Sequence, residues 1–233
     1  MNSLYDYIIT PIGERYNNKK KIGKKSLILN TKIEEFKSIN KKAKVISIPK
    51  AYDLPIKPGD IVYVHHNVFR RFYNMKGKQQ NSRSYFKEDL YFCAPDQIYL
   101  YNNGVNNSFL DRCFVKPLRS DKLGDKVIKN TGILKYGNKT LDHLNIKEGD
   151  LVSFPDLREW EFVVDSELLY CMKSKDILIK HEYEGNEKEY NPSWATSSER
   201  INKSSEGTDC GYRGGCDCGP TKERSCNKEV SNF

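Results

Sequence analysis

The sequence predicts an all-β protein made of two tandem small β-barrel domains, followed by a disordered C-terminal tail. The main observation is a motif that occurs twice: residues 56–64 read IKPGDIVYV, and residues 146–154 read IKEGDLVSF. A repeated order of elements at a near-constant offset indicates tandem duplication of one unit. Each copy continues into an apolar cluster and then a short apolar segment, at 90–93 and 98–100 in the first copy and at 169–172 and 177–179 in the second.

Length and composition agree with two thin cores. A chain of 233 residues fits either one large β domain or two domains of about 100 residues, and the repeat favours two. The hydrophobic content is 37% and the mean hydropathy is −0.73, which is low for a deep core. The sequence has no apolar run of about 18 residues that would span a membrane. Its start also lacks the basic and apolar regions of a secretory signal, so we expect a cytoplasmic protein.

The predicted strands are short, rich in β-branched and aromatic residues, and separated by Gly, Pro, Asn and Asp. They lie at 7–9, 44–48, 61–64, 91–92 and 98–101 in the first copy, and at 114–115, 132–134, 151–154, 162–164, 168–170 and 177–179 in the second. Pro58–Asp60 and Glu148–Asp150 predict tight turns in which glycine supplies the required backbone conformation. The one predicted helix runs from Ile33 to Ala43, where apolar residues recur every three positions.

The two copies differ in the loop between their first two strands. The first copy carries a long polar segment at about 13–42, whereas residues 119–130 of the second copy are less than half as long. Long loops are usually functional or disordered. This loop contains one isolated aliphatic triplet, Leu27–Leu29, which has no obvious core to join. Two interpretations stay open: an ordinary edge strand, or an exposed binding segment.

These features in this order resemble the GroES-type co-chaperonins, the chaperonin-10 family. The second copy carries the best match, with KEGDLV at 147–152 followed by MKSKDIL at 172–178. The first copy matches through KPGDIV at 57–62, but its closing motif has drifted to CAPDQI at 93–98, and it has extra residues around 74–84. The resemblance covers about residues 4–182.

The resemblance implies a non-enzymatic lid that caps the nucleotide-bound ring of a GroEL-type chaperonin and assists ATP-dependent folding. Carried over by position, the residues that dock on the chaperonin are Leu27, Ile28 and Leu29. The resemblance also implies a homo-oligomer, arranged as a ring, and no cofactor. Burying three aliphatic side chains gives on the order of 1.5–3 kcal/mol each, and several weak loops acting together bind tightly but reversibly.

The domain limits follow from the same reading. The resemblance implies a GroES-like domain with a mobile loop at about 13–42 in residues 1–108, and a second one with a shortened loop in residues 109–183. Residues 184–233 form the tail, because they lack apolar periodicity. Abundant Lys, Asn, Ile and Tyr are typical of an AT-rich genome, and together with the duplication they suggest a bacteriophage-encoded protein in its host's cytoplasm. Whether both domains lie in one ring stays open.

The net charge of +8 supports a second hypothesis, a phage structural or nucleic-acid-binding protein built on duplicated basic barrels. Lys19–Lys25 and Lys41–Lys44 would then contact phosphates, and binding would depend steeply on salt. Nucleic-acid binders usually concentrate their charge on one face with interleaved aromatic residues. That concentration is weak here, so solvated loop charge is the favoured interpretation.

Four of the seven cysteines lie in the tail: Cys210, Cys216, Cys218 and Cys226. Their spacing does not fit the paired Cys-x2-Cys pattern of zinc sites, so we predict no metal site and keep a wrapped metal only as an alternative. Cys93, Cys113 and Cys171 fall in or beside predicted strands and are expected in the cores.

His65 and His66 follow a strand and should face opposite ways, which makes a poor metal pair. The sequence shows no catalytic triad and no phosphate-binding glycine loop. We therefore predict that the protein is not an enzyme.

Overall fold

The computed structural model describes residues 3–23, 25–28, 31–32 and 35–196. Its strands before residue 110 are β1 Tyr7–Pro11, β2 Lys19–Ile22, β3 Lys25–Ile28, β4 Lys42–Ser47, β5 Ile61–Val64, β6 Arg71–Tyr73, β7 Gln79–Asn81, β8 Tyr85–Lys87, β9 Leu90–Cys93, β10 Ile98–Asn102 and β11 Asn106–Ser108. The later elements are β12 Arg112–Arg119, β13 Val127–Tyr136, helix α1 Lys139–His143, β14 Leu151–Ser153, β15 Trp160–Val164, β16 Glu167–Lys173 and β17 Ile179–His181. The all-β prediction is confirmed.

The strands form two antiparallel sheets with the same internal order. The first sheet runs β11-β10-β5-β4-β1-β9-β8, and the second runs β17-β14-β13-β12-β16-β15 when it is read from the matching end. Strands β2–β3 and β6–β7 form two separate hairpins. In the described part of the chain neither sheet closes on itself, so the predicted barrels are not confirmed. Instead, part of each sheet is covered by residues of the other copy.

The repeated Gly-Asp turn has the same geometry in both copies. The amide of Lys57 donates to Asp60 Oδ2 at 2.8 Å, and the amide of Lys147 donates to Asp150 Oδ2 at 2.7 Å. The glycine inside each turn has φ near +99° or +94°, a conformation that side chains with a Cβ resist. The repeated sequence motif therefore forms the same hydrogen-bonded turn in both copies.

Three apolar clusters hold the molecule together. The first lies under the first sheet and includes Tyr7, Ile9, Val45, Val62 and Cys93; the second lies under the second sheet and includes Cys113, Val115, Leu134, Val152 and Met172. The third joins the copies, combining Tyr63, Tyr99 and Leu100 with Phe114, Phe162, Val164, Leu169 and Cys171. Cys93, Cys113 and Cys171 are buried as predicted.

The helix predicted from Ile33 to Ala43 is wrong over the residues that the structure describes. Residues 36–38 form a turn, Ile39 bridges to Tyr16, and β4 begins at Lys42. Ala43 pairs with Val62 of β5. Strand pairing and the burial of Ile39 and Ala43 therefore outweigh a helix pattern that is marginal in isolation.

The chain stays on the second sheet beyond residue 183. The amide of Arg119 donates to the carbonyl of Lys188 at 2.6 Å, and the amide of Tyr190 donates to that of Pro117 at 2.8 Å. Glu189 forms an ion pair with Lys116.

The cysteines of the predicted tail, Cys210, Cys216, Cys218 and Cys226, lie outside the described residues. Within the described part, no helix is long and apolar enough to cross a membrane.

Candidate functional site

The long loop of the first copy is fixed at its base by Arg15. Its guanidinium donates to the carbonyl of Phe69, to the carbonyl of Arg70 at 3.0 Å and to Asn81 Oδ1 at 2.7 Å. The same group lies over the ring of Tyr91, 5.2 Å from its centre. Arg15 thus joins the start of the loop to the sheet and to the β6–β7 hairpin.

Asn40 fixes the other end of the loop. Its Nδ2 donates to the carbonyls of Ile12 and Glu14 at 2.8 and 3.0 Å, and its own amide donates to the carbonyl of Arg15 at 3.1 Å. Asn40 is buried although it is polar, and these bonds satisfy it. The two ends of the loop are therefore held together before the hairpin begins.

The predicted docking triplet lies on the β2–β3 hairpin. Lys19 pairs with Ile28, and Lys20 pairs with Leu27. Leu27 is 52% exposed and Ile28 is 56% exposed, while Leu29 lies outside the described residues. The triplet begins in a strand, but that strand pairs with β2 and not with the seven-stranded sheet. Leu27 and Ile28 therefore do lie in a strand, but in an exposed one that belongs to a separate hairpin and not to the edge of the seven-stranded sheet.

The hairpin combines a lysine-rich strand with an aliphatic one. Strand β2 reads KKKI and β3 reads KSLI. Neighbouring strand residues point to opposite faces, so Leu27 and Ile28 present one aliphatic side chain on each face. The described side chains therefore offer a partner apolar contact at Leu27 and Ile28.

The second copy has only a short turn at the equivalent place. Strand β12 continues into β13 through residues 120–126, and the amide of Ser120 donates to the carbonyl of Lys126 at 3.2 Å. Leu123 at its tip is fully exposed. The aliphatic hairpin is therefore a property of the first copy.

A cavity of about 490 Å³ lies at the junction of the two copies. Residues from the first copy meet residues from β15, β16 and the segment before them; its lining includes Phe36, Lys41, His65, His66, Trp160 and Phe162. Lys41 crosses the junction, because its Nζ donates to the carbonyl of Glu161 at 3.0 Å and lies 4.8 Å from the centre of the Phe162 ring. Sequence reasoning missed this cavity.

His65 and His66 do not face opposite ways as predicted. Their rings stack with centres 4.2 Å apart, because β5 ends at Val64 and a 3-10 turn spans His66–Val68. The ring of His65 is also 5.0 Å from that of Trp160. His65 Nδ1 accepts from the amide of Asn67 at 3.0 Å, so this nitrogen caps the turn.

Burial controls the charge at this junction. It lowers the pKa of His66 to about 4, and repulsion from His65 in its protonated form and from the cations of Lys41 and Arg70 adds to this shift. Burial also lowers the pKa of Lys41 to about 8, although Glu161 opposes the shift. The stacked imidazoles are therefore neutral at physiological pH and pack as aromatic rings. Among the described residues, no three His, Cys, Asp or Glu side chains are grouped to hold a metal ion.

Comparison with known proteins identifies no family, so any assignment of function depends on the residues of this chain. No protein-family model matches the chain, and no curated protein matches it either.

Proposed function

We propose that this protein is a co-chaperonin that caps a GroEL-type chaperonin ring through the β2–β3 hairpin and assists ATP-dependent protein folding. The observation that carries the proposal is the exposed pair Leu27 and Ile28. In the described part of the chain, the strands of their hairpin pair with each other and with no other strand. The clamps of Arg15 and Asn40 support the proposal, since they present this hairpin from a fixed base.

The energetics suit a reversible lid. Burial of each aliphatic side chain contributes on the order of 1.5–3 kcal/mol, and the cost of ordering the segment offsets part of that gain. One hairpin therefore binds weakly. A ring of chains engages several hairpins together, so that effective concentration makes capture tight and still reversible.

The rival hypothesis is a phage structural or nucleic-acid-binding protein. It uses the lysines of β2 and those that begin β4, and it has no need of exposed Leu27 and Ile28. Aliphatic side chains on the presenting strand therefore favour a protein groove over a phosphate backbone.

The test is capture by GroEL in the presence of ATP or ADP, run beside a DNA mobility-shift assay. Wild-type protein should be captured only with nucleotide and should not shift DNA. Leu27→Ser/Ile28→Ser should lose capture, whereas Leu123→Ser on the turn of the second copy should keep it. A salt-dependent DNA shift without chaperonin capture would contradict the proposal and support the rival.

A further inference from the structure

Two cavities share a wall at the junction of the two copies. The aromatic cavity, which Phe36 and Phe162 line, has a volume of about 490 Å³, and a second cavity beside it has a volume of about 560 Å³. His65 and Trp160 line both cavities, and their ring centres are 5.0 Å apart. Each volume lies in the range of small-molecule sites, about 300–1,000 Å³.

The second cavity, which we call the cationic cavity, carries more positive than negative side chains. Its charged lining residues are four cations and two carboxylates: Arg112, Arg158, Lys173, Lys175, Asp96 and Asp176. Asp176 Oδ2 accepts from the amide of Lys173 at 3.3 Å, and the ammonium of Lys173 lies 3.8 Å from Asp111. In the described part of the chain Arg112, Arg158 and Lys175 form no salt bridge. Their charges are therefore available to an anionic ligand.

The wall between the cavities is aromatic and lies in a positive field. Burial lowers the pKa of His65, and the cations of Lys41 and Arg112 lower it further, while Asp96 opposes the shift. The guanidinium of Arg112 lies 4.4 Å from the centre of the Tyr99 ring, which holds this charge beside the wall. A ligand that joins a flat ring to an anionic group would match both properties.

The aromatic cavity adds a carboxylate oxygen without a partner. Its ring-bearing lining residues are Phe36, His65, His66, Trp160, Phe162 and Tyr170. Glu161, one of its two carboxylates, lies 3.9 Å from the ammonium of Lys37. Oε2 of the other, Glu159, is buried and has no hydrogen-bond partner among the described residues. Because buried acceptors are normally bonded to a donor, a ring that stacks here and carries an N–H group would satisfy Glu159.

We propose that the two cavities together bind a free nucleoside 5′-monophosphate whose base carries an exocyclic amino group. The base stacks on Trp160, and its amino group donates to Glu159. The phosphate lies against Arg112, Arg158 and Lys175, because guanidinium and ammonium groups suit phosphate oxygens. An inorganic anion would leave the rings and Glu159 unused, and an uncharged aromatic ligand would leave the cations unused. The site shares no residue with the β2–β3 hairpin, so it is independent of the proposed docking.

The test is a fluorescence titration of the full chain with AMP, without chaperonin. The sequence has two tryptophans, so Trp194→Phe leaves Trp160 as the reporter, and calorimetry of the wild-type chain checks the constants without the substitution. AMP should quench Trp160 saturably, with a dissociation constant about tenfold below those of adenosine and ribose 5-phosphate, because each of these lacks one half of the contacts. Absence of both quenching and heat would overturn the proposal, as would inorganic phosphate that binds as tightly as AMP.

Charge variants test the cationic cavity. Arg158→Gln/Lys175→Gln should weaken AMP binding about tenfold and leave adenosine binding unchanged. Lys122→Gln/Lys126→Gln, on the turn of the second copy, removes the same charge elsewhere and should bind AMP like wild type. Equal weakening by the two pairs would mean general attraction to a basic protein and would overturn the proposal. All four side chains are exposed, and thermal melts check that the fold is intact.

Glu159→Gln tests the contact with the base. Wild-type protein should bind AMP about tenfold more tightly than UMP, because uracil has no exocyclic amino group. The glutamine amide both donates and accepts, so the variant should lose this preference. Wild-type protein that does not distinguish AMP from UMP would overturn the proposal. A 5′-phosphorylated single-stranded hexanucleotide that binds where AMP does not would also overturn it, in favour of a strand end. None of these outcomes alters the test of capture by GroEL.

Discussion

Lys41 donates a hydrogen bond to the carbonyl of Glu161 at 3.0 Å, across 120 residues of sequence. The contact ties the segment that closes the long loop to the start of strand β15, and it places an ammonium group beside the stacked rings of His65 and His66. The junction of the two copies therefore combines packed aromatic rings with groups whose protonation changes the local charge.

This arrangement predicts that acid weakens the fold through His66. The pKa of His66 is about 4 in the folded protein and near its ordinary value of about 6.5 in the unfolded chain. The unfolded chain therefore takes up the proton first, and stability falls as the pH drops from about 6.5 to 4. We expect His66→Asn to flatten this part of the melting-temperature profile. His143→Asn, at the exposed end of α1, is the matched control, and an unchanged profile for His66→Asn would contradict the burial argument.

The exposure of Leu27 and Ile28 predicts that they contribute little to the free protein. Leu27→Ser/Ile28→Ser should change the free energy of unfolding by about 0.5 kcal/mol or less, as surface substitutions do. Ile9→Ala in the core of the first sheet should cost about 2–5 kcal/mol. Denaturant melts measure both variants, and a large loss in the hairpin variant would mean that these side chains belong to a core.

The difference between the two loops predicts asymmetric protection. Trypsin should cut residues 17–40 in the free protein and should cut them slowly once chaperonin and nucleotide are bound, because the proposed docking would cover the hairpin. Cleavage in the turn at 120–126 should be the same in both states. Mass spectrometry of the fragments distinguishes the sites, and equal protection of both loops would show that the second copy docks as well.

The segment after β17 is predicted to stabilise the second sheet through Glu189. Lys116 is buried; burial opposes its charge, yet hydrogen bonds to Glu189 and Glu167 outweigh that effect and raise its pKa. Glu189→Gln should cost about 1–2 kcal/mol, less than a fully broken buried pair, because Glu167 remains and Glu189 is half exposed. Glu184→Gln, on the exposed chain nearby, should be neutral. A neutral result for both in denaturant melts would show that the ion pair contributes nothing.

Close packing at Gly132 gives a further prediction. A Cβ at this position would lie 2.5 Å from the carbonyl oxygen of Lys116 and 2.5 Å from Val115 Cγ1. Gly132→Ala should therefore destabilise by about 1–3 kcal/mol through overpacking. Gly137→Ala, where the nearest atom is 3.5 Å away, is the control and should melt like wild type. Equal melting temperatures for the two variants would contradict the strand spacing between β12 and β13.

Strand positions were predictable because they depend on local chemistry. The predicted strand at 61–64 coincides with β5, since its β-branched residues follow a glycine turn that fixes where it starts. The strand predicted at 177–179 is displaced to Ile179–His181, because a 3-10 turn holds residues 174–176 and delays pairing with β14. Turns of this kind leave little trace in apolar periodicity.

Long-range contacts account for what the sequence did not predict. His66 and Trp160 are 94 positions apart and meet only because the two copies pack against each other. The failed helix near Ile39 has the same origin, since its partner Tyr16 comes from the other side of the loop. Local patterns pointed to the exposed pair Leu27 and Ile28 only because aliphatic residues are unusual in a charged segment.

The clamps formed by Arg15 and Asn40 make the hairpin an exchangeable unit. Both residues close the loop through backbone carbonyls at Ile12, Glu14, Phe69 and Arg70, and none of these bonds uses a side chain between residues 17 and 38. Sequence and length at the tip of the hairpin can therefore change without altering the sheet beneath, whereas Phe36 and Lys37 contact His66 and Glu161 at the junction of the two copies. Under the proposed function, replacing that one segment would change which partner the molecule binds.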